Sequence, residues 1–392
     1  MTKNVENYIR NNFSLLLILI GAVSNFLLIL YLNKYLPQIF DLFSLYLTFI
    51  GIIASFGYLG LDQVFLRLSK RIDNKIVIGK DLYIILIFVL FFSPIMLSFY
   101  FNSRYEQLPF YLMLISGISV NAIILAYNFF RLQKKFILSQ SFKAGYSVMF
   151  LLGISLFSVL FSFGLKEILI LTTTVLAIFG LATLYFVFGK IEIQNKKTKS
   201  LFSFFISFFI NIGLITLIGF GERILIANEL GEETFGKYFY YSTIFLFPLT
   251  LLQQYIGFKE LVFFKDKLER RLILKKLARV FVFGSVMIIC LIILVKIDGG
   301  FLLNVDIGNE KMLITLLCVF GLVKVCYSLF SAIIGARGEF RDIYLINGAT
   351  VIFSTLYLVY IYSTEITVNK IIIGLILVYI IRSLIIHLKY AK

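Results

Sequence analysis

The residues of this 392-residue chain best placed to do chemistry are a few charges set inside long apolar runs. Lys324 stands at the centre of the run 312–336, twelve residues from either end. A helix rising about 1.5 Å per residue puts it roughly 18 Å from both ends, too deep for easy snorkelling to water. An exposed charge there costs about 2.5–3.5 kcal/mol, so Lys324 must face a wet cavity or a partner. Two readings stay open: a fixed cation for an anionic ligand, or a structural pair with Glu222 or a backbone carbonyl.

Glu222 and Arg223 come next. Adjacent residues on a helix point in different directions, so this pair is not expected simply to neutralise itself. Counted from Leu201, Arg223 lies roughly 33 Å along its helix, near the edge of an apolar core about 30 Å thick. It is either an interfacial anchor or a ligand contact. Asn25, Asn121, Asn211, Gln253, Gln254 and Asn347 are uncharged polar positions within apolar runs. They could hydrogen-bond a polar ligand, although bonds between helices are the commoner use. Pro94 and Pro248 are expected to kink their helices.

Several chemistries are excluded. There is one histidine, His387, and the three cysteines lie in apolar blocks, so no metal set or disulfide is expected. No G-x-x-x-x-G-K-[ST] occurs, so the chain does not power itself with ATP. Gly219-Phe220-Gly221 lacks the third glycine and preceding strand of a dinucleotide fold. No cofactor and no enzyme activity are expected, with proton or sodium coupling as the source of drive.

The elements that must position these residues are transmembrane helices. The chain is 60% hydrophobic and 15% charged with a mean hydropathy of +0.97, against about 25% charged for soluble domains. Apolar blocks of membrane-crossing length fall at 12–33, 41–62, 82–101, 108–130, 144–164, 168–189, 201–226, 237–257, 277–296, 312–336, 343–362 and 369–387. This predicts an all-α integral membrane protein of about 12 helices, with its weakest joint at 164–167. The run near the N-terminus lacks a cleavage pattern and reads as a retained first helix. Most of the 37 basic residues fall in alternate loops when both termini are cytoplasmic, Arg382 being counted among them. The net charge of +16 is thus explained by topology and attraction to anionic lipid, not by nucleic acid.

Two segments suggest an internal repeat, the alternative being that any two loops leading into a Tyr/Phe-rich helix look alike. ILYLNKYLPQIFDLFSLYLTFI (29–50) and ILIANELGEETFGKYFYYSTIF (224–245) match without gaps at Ile29/Ile224, Leu30/Leu225, Asn33/Asn228, Phe40/Phe235, Tyr46/Tyr241 and Thr48/Thr243. The match relates the first helix to the seventh, so two parallel six-helix bundles are expected, 1–190 and 191–392, as in alternating-access carriers.

The segment FGYLGLDQVFLRLSK (56–70), and GERILIANELGEETFGKYFYYSTIF (221–245) with its acid-Arg pair, short loop and G-x-Y start, resemble polysaccharide-export flippases of the MATE-like MOP superfamily. Glu222 stands where that pattern more often has Asp. The resemblance implies a Wzx-type flippase that moves an undecaprenyl-pyrophosphate-linked oligosaccharide, an O-antigen, capsule or exopolysaccharide repeat unit, across the bacterial cytoplasmic membrane. By their polarity and depth in the apolar runs, the candidates for substrate contacts are Lys324, Arg223, Asn25, Asn211, Gln253 and Gln254, and the candidate for ion coupling is Glu222. Expected partners are the lipid-linked oligosaccharide, membrane lipids, and a polysaccharide polymerase and chain-length regulator. The alternatives are a cation-coupled multidrug antiporter of the same superfamily, or a membrane polysaccharide polymerase or ligase.

Overall fold

A computed structural model describes residues 2–390 apart from 73–74, 161–163, 196–200, 267–268, 301–302 and 304. Side chains at 2–12, 14–15, 254–255, 257–259, 261–263, 265–266, 270, 335–337 and 340 also fall outside the description. The chain is all-α apart from one small sheet. Its helices are α1 (Thr2–Tyr35), α2 (Pro37–Phe56), α3 (Leu61–Leu68), α4 (Lys80–Arg104), α5 (Phe110–Leu132), α6 (Phe136–Leu160), α7 (Leu165–Val187), α8 (Leu201–Leu230), α9 (Glu232–Asp266), α10 (Arg270–Asp298), α11 (Lys311–Arg337), α12 (Phe340–Tyr362) and α13 (Val368–Tyr390). Among the described residues eleven spans are long and apolar enough to cross a membrane, and α9, with 35 residues, has the length as well. The joint at 164–167 is a true break: the Gly164 amide donates to Glu167 Oε2 at 3.0 Å and opens α7.

The chain forms two compact units, Met1–Phe220 and Gly221–Lys392. One local feature recurs at the aligned positions. α1 and α2 are separated by Leu36 alone, and α8 and α9 by Gly231 alone. These two breaks occupy the same position in the gap-free alignment. Apolar side chains cover the outside of each unit: only 11% of the α10 span is buried, and Val159 and Ile297 are 79% and 81% exposed. Such faces require lipid around them.

In the first unit, two segments expected as plain loops form a sheet instead. β1 (Lys70–Ile72) pairs antiparallel with β2 (Lys75–Gly79), which pairs parallel with β3 (Ile191–Gln194). Isoleucine and valine in KIVIG favour the extended chain, and Ile76, Val77 and Ile78 are buried. The sheet brings the segments after the second and sixth apolar blocks to one end of the unit, as an even number of crossings between them demands.

The second block is bent within the span. The helix ends at Phe56, and Leu59 and Gly60 take positive φ values of 51° and 85° before α3 starts. Asn121 on α5 satisfies the exposed backbone, its amide reaching the carbonyls of Gly57 (3.5 Å) and Leu90 (3.2 Å) and Ser93 Oγ (3.2 Å). Asn121 therefore has the interhelical role. Replacing it by alanine is expected to cost about 1–2 kcal/mol, read as a lower midpoint in detergent thermal unfolding.

Candidate functional site

The charges singled out in the sequence meet in the second unit. α11 packs between α9 and α13, and Lys324 is the central residue of its 27. Its ammonium is half-buried and lies 5.7 Å from the centroid of the Phe320 ring, one turn earlier. Glu222 on α8 is 7% exposed and lies within electrostatic reach of Lys324. The Tyr238 hydroxyl of α9 stands beside the Glu222 carboxylate, whose Oε2 is buried without a hydrogen bond.

One expectation about this cluster needs correction. Arg223 Nε comes within 3.8 Å of Glu222 Oε1, so the adjacent pair does approach. The Arg side chain is long enough to turn back along the helix, which Cβ directions alone do not capture. At that separation the contact is an ion pair and not a hydrogen bond. The guanidinium also lies 4.9 Å from the Phe239 ring centroid.

A further cation belongs here that sequence reasoning assigned to a cytoplasmic segment. Arg382 is 3% exposed, eight residues before the end of α13 and so about 12 Å inside it. Its Nε donates to the Tyr327 hydroxyl at 3.0 Å and its Nη1 to Thr350 Oγ1 at 3.0 Å. The signal was present: three apolar residues, Leu384, Ile385 and Ile386, follow Arg382, and His387 and Lys389 mark the real helix end. The apolar block 369–387 already contains Arg382, and only the count of basic residues by side grouped it with the cytoplasmic segments. Phe320, Tyr379 and Tyr327 form a ring ladder between α11 and α13, with centroid spacings of 5.8 and 5.0 Å. Lys324 touches its Phe320 end and Arg382 its Tyr327 end, the latter 5.5 Å from the ring.

The other expected ligand contacts lie on several helices. Gln253 is half-buried on α9, and the Gln254 side chain lies outside the described residues. Asn25, exposed on α1, and Asn211, half-buried on α8, belong to the first unit. Asn347 is buried on α12.

Where α9, α11 and α13 begin, a pocket of about 430 Å³ is lined by Glu233, Lys237, Tyr238, Asn309 and Glu310 among others. Lys237 and Glu310 form an ion pair across it. Tyr238 thus has the pocket on one side and Glu222 on the other. Among the described residues no group of three or more acids, histidines or cysteines could hold a metal. The arrangement can attract an anion: among the described residues Arg223, Lys324 and Arg382 lie within this unit, and of its two buried carboxylates Glu222 stands by Arg223 and Lys324 while Asp342 is held by Lys389 and Tyr390.

The sequence matches no family model and no curated protein. Solved structures do match. A MATE in complex with Br-NRF superposes with a TM-score of 0.54 at 12% identity, covering 96% of this chain and 91% of its own. A MOP superfamily transporter from Pyrococcus furiosus, described as having a binding pocket of reverse polarity, gives 0.52 at 11% identity, with 96% and 92% covered. The lipid II flippase MurJ, in an inward closed conformation, gives 0.56 at 12% identity, with 98% and 86% covered. The chain therefore has the all-α membrane fold seen in these three transporter structures.

Proposed function

We propose that this chain is a flippase for an undecaprenyl-pyrophosphate-linked oligosaccharide, carrying it from the cytoplasmic to the outer leaflet of a bacterial cytoplasmic membrane by alternating access. The observation that carries the reading is the excess of positive charge inside the second unit, centred on Lys324. A cation at mid-helix is expensive unless an anion or a wet cavity faces it, and the diphosphate of an undecaprenyl-pyrophosphate-linked glycan is such an anion. The fold is shared with a protein described as a lipid II flippase, which fits a lipid-linked cargo. An organic-cation pocket would call for the opposite balance of buried charge.

On this reading Lys324 and Arg223 draw the diphosphate. Asn25, Asn211, Gln253 and Gln254 hydrogen-bond sugar hydroxyls, and Glu222 takes up the proton or sodium ion that resets the cycle. The two repeats, 1–190 and 191–392, supply the two halves that rock around the cargo, and both termini are cytoplasmic.

The test is deletion of the chain from its own cell followed by sizing of the surface polysaccharide. A flippase deletion leaves no exported units, whereas loss of a polymerase leaves single exported units; drug sensitivity with normal polysaccharide would point to the antiporter instead. Glu222→Gln is expected to keep passive exchange of the lipid-linked cargo in proteoliposomes but to lower uptake driven by an imposed ion gradient about tenfold, a loss of about 1.4 kcal/mol of coupling. Unchanged driven uptake would remove Glu222 from the coupling role.

A further inference from the structure

Arg382 is the intramembrane charge that the flippase reading leaves unused. Both of its hydrogen-bond partners, Tyr327 and Thr350, are neutral hydroxyls. Among the described residues no carboxylate lies within ion-pair distance of its guanidinium, and its Nη2 edge has no hydrogen bond. Two turns further along α13 the contrast is plain, since Lys389 and Tyr390 both bind the Asp342 carboxylate. A guanidinium does not shed its charge by titration, and a buried charge without a counter-ion is costly. Among the described residues no side chain supplies that counter-ion, which leaves room for an anion brought by a ligand.

The surroundings fix the guanidinium in place. The Tyr327 ring lies against it, Tyr379 lies against Tyr327, and Thr350 holds one amino group. The two described hydrogen bonds use Nε and Nη1 and leave Nη2 in a planar fork of donors, the geometry that binds phosphate oxygens in pairs. Lys324, three residues before Tyr327 on α11, adds a second cation at the other end of the same ring ladder.

We propose that Arg382, oriented by Tyr327 and Thr350, is a phosphate-binding residue, and that the site between α11, α12 and α13 takes a phosphate or diphosphate group carried on a lipid. The preference for a diphosphate rests on the flippase reading; the phosphate chemistry does not.

The experiment uses the full-length protein in phosphatidylcholine nanodiscs, with binding of radiolabelled inorganic pyrophosphate as the readout. Arg382→Gln is expected to weaken binding at least tenfold without lowering the thermal midpoint, because it removes a charge that nothing in the unit balances. Arg382→Lys keeps the charge but loses the fork and should fall between the two. Tyr327→Phe should weaken binding about threefold. Should Arg382→Gln fail to accumulate, the Lys and Phe variants carry the test. Repeating the measurement with phosphatidylglycerol in the nanodisc separates two sources of the phosphate. Competition assigns the site to a lipid headgroup, and its absence assigns it to a diphosphate cargo.

The proposal is overturned if the wild-type protein binds no pyrophosphate. It is equally overturned if Arg382→Gln or the fallback variants bind it as tightly as wild type. A lower thermal midpoint with unchanged binding would make Arg382 purely structural. A deletion strain with normal surface polysaccharide, alongside lost pyrophosphate binding in Arg382→Gln, would sink the flippase reading and leave this site standing.

Discussion

Lys324→Ala should abolish surface polysaccharide while protein abundance in the membrane stays unchanged. A charge-assisted hydrogen bond to phosphate is worth about 1.5–3 kcal/mol, so the alanine variant loses roughly 10- to 100-fold in cargo affinity from that contact alone. The ammonium also sits within reach of Glu222. Removing it leaves that carboxylate beside Arg223 only and shifts the interior of the unit towards neutrality. Lys324→Arg retains the charge and should restore part of the export. Immunoblotting of membranes and gel profiles of surface polysaccharide give both readouts from one culture. Full export by the alanine variant would falsify the assigned role, and loss of the protein itself would mark Lys324 as a structural partner of Glu222.

Gly60→Val is expected to have the largest effect on stability. Gly60 has φ +85°, a region that β-branched residues enter only under strain. A Cβ built there would lie 2.8 Å from the backbone carbonyl carbon of Phe208 and 2.9 Å from the amide nitrogen of Phe209 on α8. Backbone atoms cannot swing aside as a side-chain tip does, so strain and overpacking add. Together they cost about 3 kcal/mol or more, much of the stability of an ordinary domain. The variant should accumulate poorly and unfold at a markedly lower temperature in detergent. Gly60→Ala meets the same clash with a smaller side chain and should be milder. Wild-type unfolding by Gly60→Val would show that α8 moves away from this turn at little cost.

The sequence by itself determined the membrane class and the run of helices, because lipid forces long apolar blocks and internal hydrogen bonding on any chain that crosses it. The gap-free alignment of six matched positions set Leu36 opposite Gly231, and both are single-residue breaks between helices. Lys324 was legible as well, since a charge at the centre of a 25-residue apolar run needs no neighbours to be conspicuous. The bend after Phe56 was not legible. It depends on an Asn121 amide that comes from 64 residues along the chain to take the freed carbonyl.

Only the tertiary structure decided how the charges are grouped. Counting basic residues by side grouped Arg382 with the cytoplasmic segments even though it falls inside the apolar block 369–387. What buries Arg382 is the packing of α13 against α11 and α12, which supplies Tyr327 and Thr350 from other helices. The approach of Arg223 to Glu222 likewise depends on rotamers and not on spacing. Apolar pattern is a local property and survives in the sequence. The balance of charge inside a helix bundle is a sum over residues distant along the chain, and only folding performs that sum.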